Sequence, residues 1–328
     1  MTEIGLSLSA RAALPPAEYA RFARLAEEAG FTAVFATETS SDALPLAQAM
    51  VHQTSSIAVG TAITNIYWRH PALMAVGAGT LWQLSGGRFR LGLGTANPGL
   101  NHDQLGLPPS PPLATMREYV EVVRAVATGN PVNYQGNVYR VNGFTAALGA
   151  APGLPVYVAA MLPRMLEVAG AVADGVILNF VGPATAAQSV TRVREAARRA
   201  GRDPSSVKVV CILPCALSDD PAASAAAARG VVAGYARHPA AGKLFAASPL
   251  GNTDLAEVAR VAGEKGPAAA ADLVDDVLAN DLVITGKVAD RVQRYREAGV
   301  DLPVLFPVAV RGDWVGSIEA ALAAQASL

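Results

Sequence analysis

Charge is the first thing this sequence lacks. Only 16% of its 328 residues are Asp, Glu, Lys or Arg, against roughly 25% in a typical soluble domain. The two signs nearly cancel, with 26 basic against 27 acidic residues and a formal net charge of −1. No long basic run stands out, which argues against nucleic acid or an anionic membrane surface as the main partner. Cysteine is almost missing: Cys211 and Cys215, four apart in VKVVCILPCAL, are the only two. On a strand that spacing turns both thiols to one face, too far apart to bond. A disulfide framework is excluded, and a reducing, cytoplasmic compartment is expected. The four histidines, His52, His70, His102 and His238, have no metal-ligand spacing, so no metal site is expected.

Long clean hydrophobic runs are missing too. The opening MTEIGLSL carries an acid and no basic residue before its short apolar stretch, so a secretory signal is not expected. Two uncharged stretches, from Ala43 to Trp68 and from Val141 to Pro163, are broken by polar residues or by Gly and Pro. Neither reads as a bilayer-spanning helix. What the chain has is apolar content, 52% of all residues, enough for a large core and incompatible with disorder.

The order of that content is regular. Short apolar runs at 4–9, 31–37, 56–64, 88–94, 155–160, 175–179, 207–213 and 302–308 read as strands. Each is followed by a helical pattern, as in Pro16–Ala29, where Phe22, Leu25, Ala26 and Ala29 share one face and Gly30 ends the helix. Eight such units predict an α/β fold, a (β/α)8 barrel in a single domain over 1–328. Insertions are expected at about 130–150, after the fourth strand, and 219–281, after the seventh. The first has Gln-Gly between Tyr-bearing flanks, which reads as a hairpin; the second is Ala-rich and helical. An open doubly wound sheet would want a Gly-rich first turn, and SARAALPP is not one.

Barrel active sites gather at the C-terminal ends of the strands. That rim holds Ser7, Ser9, Glu38, Thr39, Thr64, Asn65, Thr95, Asn97, Asn179 and the segment 160–164, with one carboxylate, no Lys and no strand-end His. A hydrolytic triad, a Schiff-base lysine or a paired-carboxylate site is hard to assemble from it. A cofactor is therefore expected to carry the chemistry. Pro163 suits the first position of a helix, and Arg164 then sits in a first turn where a cation opposes the helix dipole. Arg164 is either a solvated partner of Glu167 or faces a bound anion.

Four runs carry a resemblance: ARLAEEAGFTAVFATE (23–38), VGTAITNIYWRHPALMAVGAGTLWQLSGGRFRLGLGTANPG (59–99), PVYVAAMLPRMLEVAGAVADGVILN (155–179) and ITGKVADRVQRYREAGVDLPVLFPV (284–308). Through them the chain resembles the bacterial-luciferase-like family of flavin- and deazaflavin-dependent oxidoreductases. That resemblance implies a TIM barrel, a homodimer and a small-molecule substrate. It also implies coenzyme F420 as cofactor, in the methylenetetrahydromethanopterin reductase-like branch, with FMN as the alternative. Ala159, Ala160, Met161, Leu162, Pro163, Arg164 and Met165 resemble the turn that holds the F420 phosphate, with Leu162 where that pattern has Gly. Thr61, Ala62, Ile63, Thr64 and Asn65 resemble the segment that cups the ring, which makes Ala62–Ile63 a bulged non-prolyl bond, cis or trans.

The same resemblance implies roles at the rim. Glu38 stands where many F420 enzymes have the Asp of Asp-His, and Thr39 replaces the His, which disfavours sugar-phosphate dehydrogenation. Glu38, Asn65, Thr95 and Asn97 are the candidate catalytic residues near the ring. On the residues alone, Glu38 also reads as a structural ion pair and Asn97 as an Asn-Pro turn. His102, in a loop beyond the fourth strand, reads as a substrate contact or a plain loop residue, and His70 as part of a helix cap. The expected function is F420-dependent hydride transfer. The alternatives are an FMN-dependent monooxygenase and a non-catalytic flavin-binding barrel.

Overall fold

The computed structural model describes residues 3–238 and 240–328. Its strands in chain order are β1 (Gly5–Leu8), β2 (Ala33–Ala36), β3 (Ala58–Thr61), β4 (Thr64–Asn65), β5 (Phe89–Gly94), β6 (Val132–Gln135) and β7 (Arg140–Phe144), then β8 (Val156–Ala159), β9 (Gly175–Asn179), β10 (Lys208–Cys215) and β11 (Leu302–Pro307). The main sheet runs β3-β2-β1-β11-β10-β9-β8-β5-β4, and a further pairing of β3 with β5 closes it into a ring. Because β3 and β4 are two halves of one position, the ring is the expected eight-position parallel barrel. β6 and β7 form a separate antiparallel hairpin.

The strands are apolar on both faces because both faces are covered. One face of β2, β9, β10 and β11 fills the barrel interior with Phe35, Ile177, Ile212 and Val304. The opposite face, with Val34, Leu178, Cys211 and Leu305, packs against the surrounding helices. Both cysteines are free and buried in that outer layer, where burial pushes the Cys215 thiol up to about 12. Proline opens the helices Pro16–Glu28, Pro71–Leu84, Pro112–Ala127, Pro163–Val172, Pro183–Arg199 and Pro221–Ala236. At a first helical position its missing N–H leaves no bond unmade. His70 caps the helix at Pro71 by accepting from Ala72 N through Nδ1, the cap role expected of it.

The third strand departs from its hydrophobic pattern and has the irregularity that the resemblance implies at Ala62–Ile63. An unbroken run over 56–64 was the plain reading of the residues, but the strand stops at Thr61 and resumes at Thr64. Ala62 N still donates to Ala36 O of β2, whereas β4 pairs only with β5. The chain thus leaves one neighbour before rejoining the other, and the Ala62–Ile63 peptide bond between them is cis. Between β10 and Leu282 lie the helices Pro221–Ala236, Ala241–Leu244, Leu255–Lys265, Pro267–Ala270 and Asp276–Leu282, with no strand among the described residues.

The turn that feeds β3 is held from outside the sheet. Glu27, near the end of its helix, accepts hydrogen bonds from Ser55 N at 2.9 Å, Ser56 N at 2.5 Å and Ile57 N at 2.9 Å. Burial pushes this carboxyl up, but the bonds from Ile57, Ser56 and Ser55 outweigh it and hold the pKa at about 2, below the ordinary 4.5. A depressed carboxyl contributes stability that is present above its ordinary value and lost as pH falls through the folded one. Glu27→Gln should therefore melt below the wild type at pH 7. The gap should close between pH 4.5 and about 2; a gap independent of pH in thermal melts would contradict this role.

Candidate active site

The C-terminal mouth of the barrel is built on three adjacent strand ends, since β5 pairs with β3 and β4 on one side and with β8 on the other. The expected ring-cupping segment, Thr61–Asn65, therefore lies beside Thr95 and Asn97. The expected phosphate turn, Ala159–Met165, follows on the next strand. Ala62, Ile63, Ala159 and Phe306 are partly buried and pack on the interior cluster, forming the apolar floor. Ser7 is in register with Phe35 and so shares its inward face.

Two glycines make the break in the third strand possible. A Cβ on Gly92 would lie 1.9 Å from Thr61 O, and one on Gly94 would lie 2.6 Å from Cγ1 of Ile63. Any larger residue at either position would drive Ala62–Ile63 out of its place. Thr61 Oγ1 fastens the same contact, donating to Gly92 O and accepting from Gly92 N, both at 2.9 Å.

Glu38 holds this segment from below. Its carboxylate is buried and accepts from Ala43 N at 3.2 Å, Thr64 Oγ1 at 2.8 Å and Asn65 N at 2.5 Å. Arg69 stands 3.7 Å away and also pairs with Asp42. The Ala43 contact ties in the first turn of the helix Ala43–Gln53. Both oxygens of Glu38 are thus engaged in structure, the ion-pair reading of this residue together with a strut under the mouth.

The other rim residues are joined through Asn101, which motif reading did not single out. Asn65 Nδ2 donates to Asn101 Oδ1 at 2.7 Å, and Asn101 Nδ2 donates to Thr95 O at 2.9 Å. Asn65 is fully buried and Thr95 half-buried, while Asn97 is exposed and accepts from Gly99 N at 2.8 Å, the Asn-Pro turn reading. His102 donates from Nδ1 to Leu107 O at 2.8 Å and closes its own loop.

At the fifth strand, Leu162 precedes the helix Pro163–Val172 with φ −101° and offers it no side-chain cap. Leucine adopts that backbone freely, and its side chain points outward, 36% exposed, so replacing glycine there does not fill the turn. Arg164 is exposed and makes no ion pair among the described residues. The expected alternative, a pair with Glu167, is not formed, because Glu167 bonds Arg192 at 2.9 Å instead.

The helical segment after β10 adds a group that no sequence pattern marked. Tyr235, on the helix Pro221–Ala236, stacks on Phe180 at 4.1 Å between ring centroids. Its hydroxyl accepts from Asn179 Nδ2 at 3.0 Å and reaches Met161 Sδ at 3.4 Å. Burial pushes its pKa up to about 12, so it is a neutral donor. Buried hydroxyls of Ser7, Thr39 and Ser41 have no hydrogen-bond partner within the protein. Such groups want a polar ligand or water. Among the described residues no cluster of His, Cys, Asp or Glu could hold a metal ion. The mouth is therefore an apolar seat with hydroxyl and amide edges.

Glu38→Gln turns one acceptor oxygen into a donor and strands at least one buried N–H or O–H. Destabilisation of about 1–3 kcal/mol is expected, read as a lower denaturation midpoint; an unchanged midpoint would contradict the strut role.

Known proteins share this fold. The family model described as luciferase-like monooxygenase matches residues 1–302. A 5,10-methylenetetrahydromethanopterin reductase of Methanolobus tindarius is 34% identical over 221 residues, 67% of either chain. A Mycobacterium tuberculosis protein named as a coenzyme F420-dependent oxidoreductase is 30% identical over 328 aligned positions, covering 92% of this chain and 94% of its own. The solved coenzyme F420-dependent tetrahydromethanopterin reductase of Methanopyrus kandleri superposes with a TM-score of 0.81 at 25% identity, covering 98% of this chain and 97% of that one.

Proposed function

The chain belongs to the luciferase-like monooxygenase family, and we propose that within it this protein is a coenzyme F420-dependent oxidoreductase that exchanges a hydride with a small organic substrate. The observation that carries the reading is the glycine-backed seat: Gly92 and Gly94 leave room for Ala62 and Ile63 to form an apolar surface at the mouth. The relatives named for F420 chemistry support it.

Ala62 and Ile63 would bear the ring of the cofactor. Thr61, Thr64 and Glu38 keep that segment in place, which makes Glu38 a positioning residue. Asn65, Thr95 and Asn97 form the neighbouring edge. Ala159, Ala160, Met161, Leu162, Pro163, Arg164 and Met165 would hold the phosphate, at a helix end whose dipole and uncapped first turn suit an anion. The unpartnered hydroxyls of Ser7, Thr39 and Ser41 offer hydrogen bonds to polar atoms of a guest. Bound there, F420 supplies a carbon that gives or takes a hydride. The apolar floor keeps water from that face, and Tyr235 and Asn179 present protic groups beside it.

The finer reading includes a homodimer, supported by the helix Pro71–Leu84. Its sequence, PALMAVGAGTLWQL, has no charged residue, and such a helix belongs in an interior. Yet Leu73 is 62% and Leu84 50% exposed, with Leu148 and Phe144 also exposed on the same side of the chain's surface. A second copy of this chain would cover that face. The two free, buried thiols fit a cytoplasmic enzyme.

Two measurements test these readings. In equilibrium titrations F420 should bind at least about tenfold more tightly than FMN, a difference of about 1.4 kcal/mol. Equal or reversed affinities would move the protein to the flavin-dependent monooxygenases. Leu73→Glu should convert the dimer to a monomer in analytical ultracentrifugation, and an unaltered sedimentation coefficient would place the contact elsewhere.

A further inference from the structure

The hydroxyl of Tyr235 is a donor without a good acceptor. Its oxygen already accepts from Asn179 Nδ2 at 3.0 Å, so its own proton points away from that amide. The partner on that side is Met161 Sδ at 3.4 Å, and a thioether is a weak acceptor. A buried hydroxyl ordinarily finds an oxygen or nitrogen lone pair. Among the described residues, no such atom accepts from this one.

The group is held rigidly and faces the mouth. Its ring lies on Phe180, 4.1 Å between centroids and 15° between planes, and also stacks with His238 at 5.8 Å. Phe180 has φ 56°, in the left-handed region that residues other than glycine rarely enter. It directly follows Asn179, the last residue of β9. Ile177 points into the barrel, so Asn179, two residues on, shares its inward face. Met161 follows the end of β8, and β8 lies between β9 and β5. Neighbouring strands are about 4.8 Å apart, so the hydroxyl stands one to two strand spacings from the seat beside β5. That leaves room for one small molecule between them.

Burial pushes this hydroxyl up to about 12, against the hydrogen bond from Asn179 and the charge of Arg11 in the turn after β1. It is therefore protonated at neutral pH, and the same two groups favour the phenolate that is left when the proton departs. We propose that Tyr235 is the proton donor of the reaction, and that the substrate is a carbonyl compound whose C=O lies between this hydroxyl and the seat. The proposal rests on the F420 reading. An imine is basic enough to arrive already protonated, whereas a carbonyl oxygen needs a donor beside it. The carbonyl carbon takes the hydride, its π electrons move to the oxygen, and the oxygen takes the Tyr235 proton. Water returns a proton to the phenolate, and the cofactor, oxidised by two electrons, releases one to water.

The test uses the F420-loaded protein with two probes, benzaldehyde and cyclohexanone, and the variant Tyr235→Phe, which keeps the ring stack and removes only the hydroxyl. In the wild type at least one probe should oxidise bound F420H2. In Tyr235→Phe that rate should fall about 10²-fold, the scale of a positioned acid, with the Kd for F420 unchanged. A second readout needs no turnover. With oxidised F420 bound, the infrared C=O stretch of the bound probe should lie at lower frequency in the wild type than in Tyr235→Phe. Equal rates, or equal band positions, in the two proteins would overturn the role of Tyr235. Weaker F420 binding by Tyr235→Phe would overturn it as well, because the hydroxyl would then serve the cofactor and not the substrate. F420 bound with neither probe reduced would overturn the proposal and leave the F420 reading standing. Failure to bind F420 would overturn that reading and the proposal with it.

Discussion

One buried carboxylate carries the mouth of this barrel. Glu38, two residues beyond the second strand, gathers the first N–H of the helix at Ala43, the hydroxyl of Thr64 and the backbone N–H of Asn65. Those contacts join three separate pieces of chain at the one place where the sheet is interrupted. β4 has only β5 as a sheet neighbour, so on its other side Glu38 replaces the ladder that a continuous strand would have made. A buried charge is tolerable only when its hydrogen bonds are made, and here the donors are those the break in the strand sets free.

The rest of the seat follows from space rather than from charge. Gly92 and Gly94 stand in β5 where side chains would collide with Thr61 and Ile63. The interior cluster beneath is filled by Phe35, Ile177, Ile212 and Val304, so the barrel is a packed core with a floor and not a pore. The long helical segment after β10 then brings Tyr235 over to Asn179 and Met161 on the far side of the mouth. In the proposed enzyme the scaffold thus supplies position and dryness, and the cofactor supplies the reactive carbon.

Much of this could be read in the residues. Apolar runs of five to nine residues alternating with 3.6-residue patterns located all eight barrel positions, because each strand is buried on both faces and each helix on one. The rim residues Thr64, Asn65, Thr95, Asn97 and the segment 160–164 were legible for the same reason, as the residues at the ends of those strands, whereas Thr61–Ile63, Ala159 and Met165 came from the family resemblance. Three features were not. The gap between Thr61 and Thr64 leaves no trace in hydrophobic pattern, since Ala62 and Ile63 are as apolar as a strand requires, and only the family resemblance pointed to a bulge there. Tyr235 comes from an Ala-rich helix distant in sequence from Asn179, and only the tertiary fold makes them neighbours. Arg164 and Glu167 have helical spacing for a pair, yet Arg192 from the adjacent helix takes the carboxylate. In each case local periodicity was read correctly and a contact between elements decided the outcome.

The central claim is that the break in the third strand is the seat of a deazaflavin ring. A crystal structure of the protein with F420 bound tests it most directly. The account predicts the ring lying against Ala62 and Ile63, its phosphate at the first turn of the helix Pro163–Val172, and Glu38 still bonded to Thr64 and Asn65. A ring bound outside the mouth, or one seated there with its phosphate turned away from Pro163–Met165, would contradict it.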